Sequence, residues 1–335
     1  GTPSVRMNRR GDAVAMWEIF GGISASVRNE NGRWDHLALV ANTGFQQRQW
    51  SFGLDDAGNA LLALSIAPTR VFARRYEPSS GWGEFTPVPG ADDVEFGRDP
   101  ALAVSGTGTA LLAWATTRGE VLASVFEPGR GWSFASRLSS QPTAIHWLNA
   151  FVNARGDGLV TWYGSDPNTP ESGALFAILY ENPTGFRRAD RLGPAVGAAL
   201  AATVAPQSTS VVVYMTGLGL RAQRHTSAGG WSAPELLEGV GGFDAVALDD
   251  QGNGWVFWSE PGASNQGIAL RSRRLVAARA TGEVEEIAPP TSGPASFQGV
   301  SMDSEGGVTT AWFRLPSEPT SGGGSAFVAG RYNPR

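Results

Sequence analysis

The chain has 335 residues, a net charge of −5 and a calculated pI of about 5.4. All 26 positive charges are Arg and no basic stripe appears, which argues against a nucleic-acid partner. Cysteine is absent, so disulfides, thiol catalysis and Cys-based zinc sites are excluded, and no run approaches the ~20 apolar residues of a membrane span.

Gly 44 and Pro 21 imply many tight turns, hence many short strands. A single unit recurs along the chain. It opens with a first strand that carries apolar residues one and three positions before a turn and a small residue four before it, Met7, Val5 and Ser4 in the first copy. A turn of the type Asp-x-x-Gly-Asn follows, clearest in the copies at Asp55-Asp56-Ala57-Gly58-Asn59 and Asp249-Asp250-Gln251-Gly252-Asn253. Looser copies start at Asn8, Ser105, Asn153, Ala205 and Asp303. Successive turns begin at 8, 55, 105, 153, 205, 249 and 303, a period of roughly fifty residues.

Nine residues after each turn start, the second strand closes on Trp17, Leu64, Trp114, Trp162, Tyr214, Trp258 or Trp312. These read as core anchors between neighbouring units. In the third strand an Ala precedes an aromatic by three residues, as in Ala73…Tyr76, Ala123…Phe126, Ala177…Tyr180 and Ala222…His225. Glu77-Pro78 and Glu127-Pro128 end it, because Pro cannot continue a ladder. Gly81-Trp82, Gly131-Trp132 and Gly230-Trp231 then open a fourth strand, with Arg33-Trp34 and Gly185-Phe186 as variants.

Four short strands joined by tight turns form an antiparallel blade. The pattern predicts an all-β chain: one seven-bladed β-propeller of four-stranded antiparallel blades, with the first strand innermost and the fourth outermost. The blades divide at about 1–46, 47–96, 97–145, 146–196, 197–240, 241–294 and 295–335. The sixth has Thr281-Gly282-Glu283-Val284 in place of the Gly-Trp turn, and the seventh reaches Arg331-Tyr332-Asn333-Pro334-Arg335 where its fourth strand is due. That last blade is therefore either three-stranded or cut short.

These Asp-x-x-Gly-Asn…Trp…Tyr-x-Pro…Gly-Trp units resemble those of bacterial secreted and lipoprotein β-propeller repeat proteins. The resemblance covers nearly the whole chain and implies an exported protein, periplasmic, outer-surface or extracellular. The start at Gly1-Thr2-Pro3, without Met, fits a removed signal or anchor, or a trimmed boundary. The group shares no catalytic set, so function must come from a site.

Loops between second and third strands share a face with the links between blades. Three are predicted to be long, at 165–173, 259–267 and 314–325, carrying Asp166, Glu171, Glu260 and Glu318. The first residues of the inner strands border the channel mouth on that face: Gln49, Trp50, Asp99, His146, Trp147, Asn149, Phe243, Asp244, Phe297 and Gln298. Aromatics mixed with carboxylates and amides suit a glycan or peptide, since rings stack and polar edges orient.

Other chemistries lack their residues. Asp and Asn at such turns hydrogen-bond their own backbone, which explains them without calcium. Only three His exist, none paired at metal-ligand spacing, and no Gly-x-Ser-x-Gly elbow occurs. No cofactor and no metal are expected. The expectation is a non-enzymatic binding scaffold for a protein or glycan at the cell surface, or a component of a larger assembly. One alternative is a multivalent lectin with sites between blades, at Trp34, Trp82, Trp132 and Trp231. The other is a glycan hydrolase or lyase using mouth acids such as Asp99 and Asp244.

Overall fold

The computed structural model describes residues 4–332 apart from 29–30, 36, 43–48, 67–69, 96–97, 140–142, 167–168, 197–198, 205–209, 239–241, 250, 262–267, 278, 292–294, 303–307 and 315–325. The turns expected at Ala205 and Asp303, His36 and Glu318 lie outside the described residues. Among those described, regular structure is all strand, and it falls into two compact units, Gly1–Gly193 and Pro194–Arg335.

The first unit holds four antiparallel sheets. They are β1 (Ser4–Met7), β2 (Ala13–Ile19), β3 (Gly22–Arg28) and β4 (Ala38–Asn42); then β5 (Gln49–Leu54), β6 (Ala60–Ile66), β7 (Arg70–Glu77), β8 (Gly81–Trp82) and β9 (Thr86–Pro87). The third comprises β10 (Ala101–Val104), β11 (Ala110–Ala115), β12 (Val121–Glu127), β13 (Gly131–Trp132) and β14 (Ser136–Arg137). The fourth comprises β15 (Ala144–Val152), β16 (Gly158–Asp166), β17 (Thr169–Glu181), β18 (Gly185–Phe186) and β19 (Asp190–Pro194). First strands of successive sheets lie against one another, β1 on β5, β5 on β10 and β10 on β15, so the first strand is the inner edge.

The second unit repeats the plan in β20 (Ala199–Val204), β21 (Ser210–Thr216), β22 (Gly219–Thr226), β23 (Gly230–Trp231) and β24 (Glu235–Glu238). β25 (Gly242–Leu248), β26 (Gly254–Pro261), β27 (Ile268–Val276) and β28 (Arg279–Thr291) form its next sheet, and β29 (Ala295–Met302), β30 (Val308–Arg314) and β31 (Ala326–Tyr332) a three-stranded one.

The fourth strand is usually two short pieces on one partner, as β8 and β9 both pair with β7. The ladder breaks just after the Gly-aromatic pair, and a third-strand side chain takes the carbonyl there. Ser26 donates to Asp35 O, Arg74 to Gly83 O, Ser124 to Ser133 O and Gln223 to Ser232 O, each nine residues on. The sixth copy has no Gly-Trp turn, and its outer strand β28 runs unbroken.

Core clusters fill the gaps between sheets. Trp114 packs with Leu61, Ala63 and Val71 of the preceding sheet, Trp162 with Leu111 and Ala113, and, in the second unit, Trp258 with Val211 and Val213. Trp17 departs from the expectation and is only half-buried, and Trp312 has no described side chain. The aromatic of the third strand meets that of the fourth in four sheets: Tyr76–Trp82 at 5.4 Å, Phe126–Trp132 at 5.4 Å, Tyr180–Phe186 at 5.0 Å and His225–Trp231 at 5.2 Å between centroids. His225 is thus a buried packing residue of the repeat.

One of the expected long loops, 165–173, is corrected. Residues 165–173 mostly extend a hairpin: β16 reaches Asp166, which pairs with Thr169 of β17. Of the expected loop 259–267, β26 takes the first residues up to Pro261, opposite Ile268, and 262–267 lie outside the described residues. Strand pairing overrides the loop-like composition of 165–173. Asp166, Glu171 and Glu260 therefore sit on strands; their side chains are not described, and most of 314–325 lies outside the described residues.

Candidate binding cleft

A cleft of about 490 Å3 opens beside the inner strands of the first unit. Its lining includes Arg6, Trp50, Arg98, Asp99, His146, Trp147 and Asn149. Five residues expected at the mouth, Trp50, Asp99, His146, Trp147 and Asn149, are thus brought together from three sheets.

Local structure explains how each is aimed. A first strand has one ladder partner, so part of its backbone is left without a strand partner. The Trp50 N–H is taken up by Asp99 Oδ1 of the next sheet at 3.2 Å. Asp99 precedes Pro100, which holds it extended just ahead of β10. The Trp50 indole stacks on Phe52 at 5.8 Å and donates through Nε1 to Glu18 Oε1 at 3.1 Å. One tryptophan therefore links two carboxylates. Burial raises the Asp99 carboxyl from its ordinary value, the Trp50 N–H bond lowers it, and the charge of Glu18 raises it again.

On the fourth sheet, Ile145 pairs with Gly164 and Trp147 with Tyr163, leaving His146 as the extra residue of a β-bulge. Bulges re-aim side chains. His146 Nε2 lies 3.1 Å from Ser165 Oγ, and its ring is 5.3 Å from that of Tyr163. Trp147 stands 5.4 Å from Tyr163 and keeps 50% of its surface exposed. A Cβ on Gly173 would collide with the Tyr163 hydroxyl, so Gly173 makes room for this ring. Arg98 donates to Glu95 Oε2 and to His146 O, both at 2.8 Å, tying the entry to β10 onto β15.

The same bulge pattern recurs in the second unit, where the extra residues are Leu200, Asp244 and Gln298. Phe243, Asp244, Phe297 and Gln298 thus occupy first strands there, and their side chains are not described.

The lining residues Arg6 and Arg98 escaped the sequence reading, as did Glu18, which holds Trp50 from outside the lining. Arg6 lies two positions before its turn, where the other copies have Gly53, Ala103, Phe151, Thr203, Ala247 and Ser301; a lone cation in that column was the available signal. Glu18 directly follows the anchor Trp17, a position whose equivalents Ala115 and Tyr163 also reach the cleft region.

The turn carboxylates are consumed internally. Asp55 Oδ1 accepts from Ala57 N and Asn59 N at 2.9 and 2.8 Å, and Asp249 repeats this with Gln251 N and Asn253 N. In the acidic link, Asp92 pairs with Arg70, Asp93 accepts from Thr117 at 2.6 Å, and Glu95 holds Arg98. The His146–Ser165 contact is not an exposed nucleophile, because Ser165 is 2% exposed.

Two smaller cavities, of about 390 and 340 Å3, lie between sheets. They are equivalent. Arg75, Gly83, Glu84, Thr86, Phe126, Gly131 and Trp132 line the first, and their repeat counterparts Val125, Ser133, Phe134, Ser136, Tyr180, Gly185 and Phe186 line the second.

No family model matches the sequence, and no curated protein is similar to it. Solved structures are similar in fold. The BP39L lectin from Burkholderia pseudomallei superposes with a TM-score of 0.59 at 15% identity, covering 97% of each chain. The β-propeller domain of the Trilobed protease from Pyrococcus furiosus gives 0.54 at 9% identity over 98% of this chain and 94% of that one. A streptogramin B lyase gives 0.52 at 12% identity over 92% and 89%. Lectin, protease and lyase share this architecture, so the likeness speaks for fold and not for activity: the chain has the β-propeller fold.

Proposed function

We propose that the chain is an exported, seven-bladed binding scaffold that holds a glycan in the cleft of its first unit and does no chemistry on it. The observation that carries the reading is the pair of indoles, Trp50 and Trp147, supplied by different sheets to one cleft with Arg6, Asp99 and Asn149. Aromatic faces accept the apolar faces of sugar rings, and the polar groups fix hydroxyls. Binding rather than catalysis is supported by how the candidate groups are spent. Asp99 and Glu18 both hold Trp50, and Ser165 is buried. Export rests on the sequence resemblance. The lectin neighbour is consistent with sugar binding on this fold.

A glycan array on the purified chain, with and without calcium, tests the reading. The expected result is one bound glycan class, lost in Trp147→Ala with little change in melting temperature, since Trp147 is half exposed. Absence of glycan binding would sink it and leave a protein ligand.

A second reading is favoured by the equivalence of the two inter-sheet cavities, which suits a multivalent lectin. Stoichiometry separates the two: one ligand per chain for the cleft, several for the repeated cavities. In the latter case Trp132→Ala, which alters both cavities, lowers the number of ligands bound, and Trp147→Ala leaves it unchanged.

A further inference from the structure

The cleft holds two cations in different circumstances. Arg98 is committed to Glu95 and to the His146 carbonyl. Arg6 is not committed to a carboxylate: no ion pair among the described residues includes it. Its guanidinium lies over the Phe52 ring at 5.3 Å, and only NH1 is engaged, with the Val5 carbonyl at 3.1 Å and more loosely with Ser4 Oγ at 3.4 Å. A guanidinium on an aromatic face keeps its charge and its in-plane donors. The remaining N–H groups of Arg6 form a fork suited to a planar carboxylate. Arg6 also stands in the inner-strand column that is otherwise small or uncharged, so packing does not call for it.

Resting on the glycan reading above, we propose that the ligand is an acidic oligosaccharide, with a sugar carboxylate held by Arg6 and sugar rings held against Trp50 and Trp147. A neutral sugar would meet Arg6 only through single hydrogen bonds to its hydroxyls and leave the charge and the fork unmatched. An acidic peptide would use Arg6 and leave the two indoles without ring faces to match.

The test starts from the glycan array, scored separately for carboxylated and neutral sugars. Calorimetry then compares a uronate tetrasaccharide, its methyl ester of the same shape without charge, and a glutamate tetrapeptide. The acid is expected to bind about tenfold more tightly than the ester. Arg6→Gln removes that difference, and Arg6→Lys restores part of it; melting curves confirm that both variants fold. Equal binding of acid and ester, or an array that scores neutral glycans alone, overturns the carboxylate assignment and leaves the cleft as a glycan site. A tetrapeptide that binds as well as the uronate overturns the sugar half of the proposal. An array without any glycan signal overturns both this inference and the reading beneath it.

Discussion

Asn59 satisfies Asp55 twice, donating its backbone N–H to Asp55 Oδ1 at 2.8 Å and its side-chain amide to Oδ2 at 2.7 Å. Two other turns make the same bond with the residues exchanged. Asn8 Nδ2 donates to Asp12 Oδ2 at 2.8 Å, and Asn153 Nδ2 to Asp157 Oδ2 at 3.3 Å. Four turns thus place one amide and one carboxylate at their first and fifth positions, in either order, while the third closes the same turn with Ser105 and Thr109.

A charge-swap cycle follows from that exchange. Asp55 is 4% exposed, so Asp55→Ala strands buried N–H groups and is expected to cost about 2–3 kcal/mol. Asn59→Asp alone places two carboxylates together and is also destabilising. The double exchange Asp55→Asn with Asn59→Asp rebuilds the arrangement of the first and fourth turns. It should recover most of the loss in urea titrations, giving a positive coupling. Additive losses would show that the two residues act separately.

Position 225 accepts an aromatic ring because of its place in the repeat. His225→Tyr is expected to change stability by less than about 1 kcal/mol, since Tyr76 and Tyr180 occupy the same place against Trp82 and Phe186. His225→Ala opens a void against Trp231 and is expected to cost about 2–3 kcal/mol. Thermal melts of both variants decide it. An equal loss in each would mean that the imidazole itself is required.

What the sequence made legible was whatever recurs as residue type. The turns, the anchor column and the Gly-Trp pair repeat at nearly constant spacing, so strand order within a sheet could be read directly. What stayed hidden recurs as geometry with changing chemistry. Ser26, Arg74, Ser124 and Gln223 do one job with four side chains of three types, so no motif marks them. The bulge that turns His146 out is a mismatch in count between paired strands, and exists only once the pairing is known. Arg6 and Glu18 are single departures in otherwise unremarked columns. The stretch 165–173 misled because its Asp, Asn and Pro suit a loop by composition, while β16 and β17 extend each other by pairing.

Tyr163 connects packing to the cleft. Its ring touches both His146 and Trp147, and Gly173 leaves it space. Gly173→Ala should displace the ring, cost about 1–3 kcal/mol, and lower ligand affinity several-fold by loosening Trp147. Tryptophan fluorescence alongside calorimetry checks both effects. Weakened stability with unchanged affinity would show that Trp147 is positioned without Tyr163.

Asp99 supplies a dependence on pH whose sign is fixed by its surroundings. Burial, with Glu18 adding to it, raises the carboxyl from its ordinary value despite the opposing bond from Trp50 N–H. A carboxyl raised on folding binds its proton more tightly in the folded state. Its contribution to stability is therefore fully present below the unfolded value of about 3.9 and is lost as pH rises through the folded value. At neutral pH the charged Asp99 is thus a cost of folding. Asp99→Asn removes the charge and keeps an oxygen to accept from Trp50 N–H. The variant should melt higher than the parent at pH 7, and the gap should close as the pH is brought down toward 4. Melting curves from pH 3.5 to 8 measure this directly. A variant less stable than the parent at pH 7 would mean that Asp99 makes a favourable charged contact, with the Arg6 side of the cleft as the first place to look for it.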